Sequence, residues 1–160
     1  MGADIHTWAT DDAGEIINDR GKWCEWIDGK RNGEPFSDRH YRLFGWLGDV
    51  RNYSGVKPIA DYRGWDDAPE SVKREGEFSC DHSHSWVGVQ ELADINYDQI
   101  IEDRRCTRTL ASGLVSGGET CGPGEGNKMT LREFLGSDYF HDLEELQRIG
   151  AVRVWFGFDS

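Results

Sequence analysis

Residues 151–158 read AVRVWFGF. Successive side chains of a strand point to opposite faces, so Val152, Val154, Phe156 and Phe158 line one face. A run this apolar is a sheet strand and not a free tail. Immediately upstream, Phe140, Leu143, Leu146 and Ile149 recur at helical spacing. Ser137 or Asp138 is the expected cap of this helix over 139–149, and Gly150 stands at the C′ position. At the other end of the chain, Asp4–Thr10 (DIHTWAT) alternates as a second strand. Strands at both ends with helices between them predict an α+β single domain, its sheet mixed or antiparallel with short helices packed on one face.

Between these ends, Lys22–Ile27 (KWCEWI) reads as a strand that forms a hairpin with the first. Residues 29–40 contain Pro35 and read as a loop. Leu43, Phe44, Leu47 and Val50 have helical spacing, which predicts a short helix over 41–50. Residues 51–66 read as irregular. Asp67 as N-cap and Gly76 as stop bound a helix over 68–75, and Gln90–Ile95 is a further short helix. Tyr97–Leu110 reads as one or two strands. Ser112–Asn127 is rich in glycine and reads as the longest flexible loop. Its end, GPGEGNK, lacks the register of a phosphate-binding loop, because Asn127 separates Gly126 from Lys128 and Met129 follows. Thr130 and Glu133 form a capping box for a short helix.

The 160 residues carry a formal charge of −12, from 18 basic and 30 acidic side chains. Duplex nucleic acid binders draw affinity from lysines and arginines on phosphates, so that class is not expected. An acidic surface that docks on a basic partner fits the charge. Cys24, Cys80, Cys106 and Cys121 form no C-x-x-C pair. With no recognisable leader, reduced thiols in a cytoplasm are expected. No apolar run approaches a membrane span, so no membrane partner is expected.

Two histidine clusters carry the chemistry. Asp4 and His6 stand two apart on a strand and would share a face. His82 and His84, in DHSH, would do the same if extended. Carboxylate and imidazole together suit Zn, Mn or Fe, so Asp4, His6, His82 and His84 are the expected ligands of a divalent metal. The alternative for Asp4 and His6 is a surface pair, or a histidine satisfied by hydrogen bonds near a strand start; for DHSH it is a polar loop before a strand over Ser85 to Val89. Asp49 and Arg51, in GDVRN, are the expected catalytic pair. Arg104 and Arg108 are the expected substrate clamp, for a small phosphorylated ligand, unless they pair with neighbours such as Glu102 and Asp103. The order D-x-H, G-D-x-x-N, H-x-H is similar to that of metallophosphoesterases, whose G-N-H element is missing here.

Several stretches together resemble a family of small uncharacterised bacteriophage and prophage proteins. They are MGxDIH (Met1 to His6), GKW (Gly21 to Trp23), YxLFxxLxxVRN (Tyr41 to Asn52), a segment around Arg63-Gly64, SHSW (Ser83 to Trp86), and VRVWFxFD (Val152 to Asp159). The resemblance implies a phage or prophage origin and the cytoplasm of an infected bacterial host, and no activity. Two readings follow. One is a metal-dependent hydrolase of a phosphoester or nucleotide. The other is a non-catalytic acidic phage protein that binds and inhibits a host defence protein or sequesters a signalling nucleotide.

Overall fold

The computed structural model describes residues 2–24 and 33–160. In chain order the elements are β1 (Asp4–Thr10), α1 (Tyr41–Gly48), α2 (Glu70–Ser79), β2 (His82–Gly88), α3 (Val89–Ala93), β3 (Ile100–Asp103), β4 (Arg105–Thr109), β5 (Val115–Thr120), β6 (Asn127–Thr130), α4 (Leu131–Leu135), α5 (Ser137–Arg148) and β7 (Arg153–Asp159). The chain is α+β, with antiparallel sheets and short helices. Its contacts group into two compact units. One comprises residues 1–39, 62–95 and 138–160, the other 40–61 and 96–137.

The first unit is built on a three-stranded antiparallel sheet in the order β1-β7-β2. The two terminal strands pair directly, from Asp4 opposite Asp159 to Thr10 opposite Arg153. Both faces of β7 are buried, which is why its sequence is apolar almost throughout. On one face Trp8, Trp155, Ala68, Val72 and Cys80 form a core cluster, joined by Trp65 and Trp86. On the other, Ile5, Phe156 and Phe158 are each at most 2% exposed.

Helix α2 begins at Glu70 and runs through Gly76 to Ser79. The expected stop at Gly76 does not act as one. The Trp65 ring lies where a Cβ at Gly76 would go, so this glycine provides a seat for the ring within the helix. Arg63 then anchors the segment. Its guanidinium grips Glu91 bidentately at 2.7 and 2.5 Å and lies 4.5 Å over the Trp86 ring. Its backbone N–H donates to Ser85 Oγ. The Arg63-Gly64 and SHSW stretches of the sequence are therefore parts of one packed joint.

The expected strand at Lys22–Ile27 is corrected where it is described: Lys22–Cys24 is a 3-10 turn, and residues 25–27 lie outside the described residues. Trp23 is buried and its indole N–H donates to the Asn18 carbonyl, which closes a turn instead of extending a strand. The partner expected there for β1 is supplied by β7.

In the second unit, α1 buries Leu43, Phe44, Trp46 and Leu47, and α4 buries Leu131, Phe134 and Leu135. The Thr130 hydroxyl caps α4 by accepting from the Glu133 N–H, as the capping box predicts. Two separate two-stranded sheets complete the unit, β3 with β6 and β4 with β5. The glycine-rich stretch over 112–127 is therefore only partly a loop. Val115–Thr120 is a strand, held to β4 from Arg105–Thr120 to Thr109–Val115. Among the described residues no helix is long and apolar enough to cross a membrane.

Candidate functional site

The sheet geometry decides what becomes of the histidine clusters. Asp4 and His6 share a face, opposite Asp159 and Gly157 of β7. On the other side of β7, His82 is opposite Phe158 but Ser85 is opposite Phe156, so β2 carries one extra residue. Ser83, at φ +62°, absorbs that residue as a bulge. The bulge reverses the alternation. His82 stacks with Phe158 on one face, while His84 packs on Trp65 at 4.6 Å and beside Gly157 on the other. His82 and His84 do not project together, which corrects the expectation drawn from an unbroken strand. Among the described residues no three His, Cys, Asp or Glu side chains converge as a metal site.

The expected ligands are held by other partners. Arg39 binds Asp4 bidentately at 2.8 Å and keeps its carboxyl below the usual range. His6 lies between two carboxylates, with Glu34 Oε1 3.5 Å from Nδ1 and Asp159 Oδ2 2.9 Å from Nε2. The bond to Glu34 is the largest influence and Asp159 adds to it, against the opposing effect of burial; together they raise His6 to about 9. At neutral pH its ring is an imidazolium, with a nitrogen facing each carboxylate. Asp159 also accepts from the Asp4 N–H, so Asp4, His6, Glu34, Arg39 and Asp159 form one ionic clasp that fastens β1 to β7. Cys80 lies beside it. Burial, with Glu34, Asp159 and Asp81 nearby, pushes its thiol up to about 12, so it stays neutral.

The other expected site residues are engaged within the second unit. Asp49 ends α1 in the left-handed conformation and accepts from Asn52 Nδ2 at 2.8 Å. Asn52 also bonds the Val56 backbone in both directions, so GDVRN is a helix-ending turn. Arg51 donates to the Tyr53 hydroxyl. Arg104 donates to the Cys121 carbonyl at 2.8 Å and approaches Glu102 at 3.9 Å. Arg108 stands on β4 opposite Ser116, its side chain outside the described residues.

What the first unit does present is an acidic cleft of about 470 Å³ beside the clasp. Trp8, Glu34, Glu75 and Phe78 line it, with Asn18 and Thr7. Each carboxylate is aimed by a hydrogen bond: Glu34 accepts from the Thr7 N–H at 2.7 Å, and Glu75 from the Trp8 indole N–H at 2.5 Å. Phe78 stands 87% exposed at the rim. On the far side of Glu34 a smaller cavity of about 90 Å³ is lined by Asp38, Asp138, His141 and Asp142. Glu34 lines both cavities, and the larger, an acidic groove, carries the aromatic residues Trp8 and Phe78. Sequence reasoning missed it because Glu34 and Glu75 come from distant segments. One signal was present: Phe78 lies off the Val72 stripe of an otherwise polar helix, where no core contact requires it.

Compared with protein-family models, curated proteins and solved structures, the chain matches none.

Proposed function

We propose that this chain is a non-catalytic binding protein whose acidic groove grips a cationic segment of a protein partner. The observation that carries the reading is that Glu34 and Glu75 line one cleft with the edge of Trp8, and Phe78 stands exposed beside them. A guanidinium or ammonium entering this cleft meets two fixed carboxylates with the exposed Phe78 ring beside them, which together favour a desolvating cation. Phe78 supplies the apolar contact that gives a charged encounter residence time. Asp38, Asp138 and Asp142 line a second cavity that shares Glu34, so a run of basic residues fits better than one. The chain's charge of −12 steers such a partner towards it. The resemblance to phage proteins makes a basic host protein the natural partner class.

The hydrolase reading has less support. It needs Asp4, His6, His82 and His84 around one ion, and the Ser83 bulge sets His82 and His84 on opposite faces. The test is calorimetric titration of triarginine into the protein. Saturable binding that is lost in Glu34→Gln/Glu75→Gln supports the groove. Glutamine still accepts from Trp8 and Thr7, so both hydrogen bonds are kept while the charge is removed, and an unchanged circular dichroism spectrum checks that the variant, which weakens the His6 clasp, remains folded. Equal binding by both proteins would refute it.

A further inference from the structure

We propose that Cys106 and Cys121 form a reversible disulfide that ties the end of β5 to β4. The pair lies in the second unit, so the proposal stands apart from the acidic groove of the first.

The ladder places both thiols on one face. Arg105 is opposite Thr120 and Cys106 is opposite Glu119. Side chains alternate along a strand, so Cys121, two residues after Glu119, shares a face with Glu119 and with Cys106. Arg104 fixes Cys121 in that place. The Cys121 N–H donates to the Arg104 carbonyl at 2.8 Å, and the Cys121 carbonyl accepts from Arg104 Nε at 2.8 Å. Both strands are moored at this end of the hairpin. The Arg104 N–H donates to the Ser54 carbonyl, and the Thr120 hydroxyl donates to the Tyr53 carbonyl. The Cys106 and Cys121 thiols stand within hydrogen-bonding reach of one another, and both residues are half-buried. The third free thiol among the described residues, Cys80, is buried in the first unit.

The diagonal offset sets the character of the bond. Diagonal neighbours on a ladder stand about 7–8 Å apart at Cα, whereas a disulfide prefers about 4.4–6.8 Å. Closure therefore draws the strand ends together. The register shifts between Cys106 and Arg108, and β5 ends at Thr120, so the backbone can yield beside each cysteine. A partly exposed disulfide that closes against its backbone is a labile one, which other thiols reverse. In reducing compartments such bonds serve as transient sensors.

The oxidant is a small-molecule disulfide such as oxidised glutathione. One protein thiol gives its proton to water, and the thiolate attacks a sulfur of the oxidant. A mixed disulfide forms and one small thiolate leaves. The second protein thiol, deprotonated in turn, attacks the protein's sulfur in that mixed disulfide and expels the other small thiolate. The cysteine pair loses two protons and two electrons, and the oxidant becomes two thiols.

The test holds the folded full chain in reduced and oxidised glutathione at varied ratio, alkylates the remaining thiols and maps tryptic peptides by mass. Cleavage after Arg105, Arg108 and Lys128 puts the two cysteines on separate peptides. Oxidation should yield residues 106–108 joined to residues 109–128, from chains that run as monomers on non-reducing electrophoresis. Dithiothreitol should release the two peptides. Cys106→Ser and Cys121→Ser should each abolish the joined fragment, with an unchanged circular dichroism spectrum; the wild-type map decides alone where a variant does not fold. Only glutathione adducts on separate cysteines at every ratio would overturn the proposal. So would Cys106 joined to Cys24, to Cys80 or to a second chain.

Discussion

Replacing His6 by Gln removes the cation held between Glu34 and Asp159 while keeping a hydrogen-bonding side chain. The folded protein raises His6 from 6.5 to about 9, with Glu34 the main cause. At about 1.4 kcal/mol per unit the full shift would be worth roughly 3 kcal/mol. The side chain is 26% exposed, so screening by water reduces this to about 1–2 kcal/mol. The sign follows from linkage. A folded value above the unfolded one stabilises fully below about pH 6.5 and is lost as pH rises to about 9. Wild type should therefore exceed His6→Gln by about 1–2 kcal/mol at pH 6, or about 2–8 °C in melting temperature. The gap should close by pH 9. Urea denaturation of both proteins at intervals from pH 6 to 9 reads the difference directly. A gap that is absent at pH 6, or constant across the range, would refute the clasp as an ionic device.

Three further outcomes follow from the backbone. Ser83→Gly should raise stability by about 0.5–1 kcal/mol in urea, because glycine accepts the positive φ that forms the bulge; a loss would mean the bulge depends on the serine hydroxyl. Gly157→Ala should cost about 1–3 kcal/mol, since a Cβ there would meet Cys80 Sγ at 2.7 Å and His84 Cδ2 at 3.0 Å; a neutral effect would show that β2 and β7 are looser than drawn. Limited proteolysis should cut first at the turns at 110–114 or 121–126, which are mostly exposed and bury little; a first cut within β1 or β7 would contradict the sheet.

The parts of the fold legible in the sequence are those governed by local periodicity. The terminal strands, the α5 stripe of Leu143 and Leu146, the Thr130 cap and the Gly150 stop are each set by residues within a turn or two of one another. What was not legible depends on a partner far along the chain. Gly76 reads as a stop until Trp65 is seen seated on it. His82 and His84 read as a pair because alternation assumes an unbroken strand, and a serine at positive φ carries no strong signal of its own. Asp4 and His6 were correctly placed on one face, but Arg39, Glu34 and Asp159, which occupy them, are 28 to 155 residues distant. The groove is hidden for the same reason, since Trp8, Glu34 and Glu75 meet only in the folded unit.

The role proposed for the acidic groove is to bind a cationic partner. The most direct measurement is a heteronuclear NMR titration of the ¹⁵N-labelled chain with triarginine. The Trp8 indole N–H, which donates to Glu75, and the Phe78 amide should shift together and saturate, while signals of the β3–β6 pair stay in place. Trp8 and Phe78 signals that do not move, or shifts that are scattered over the surface without saturation, would contradict it.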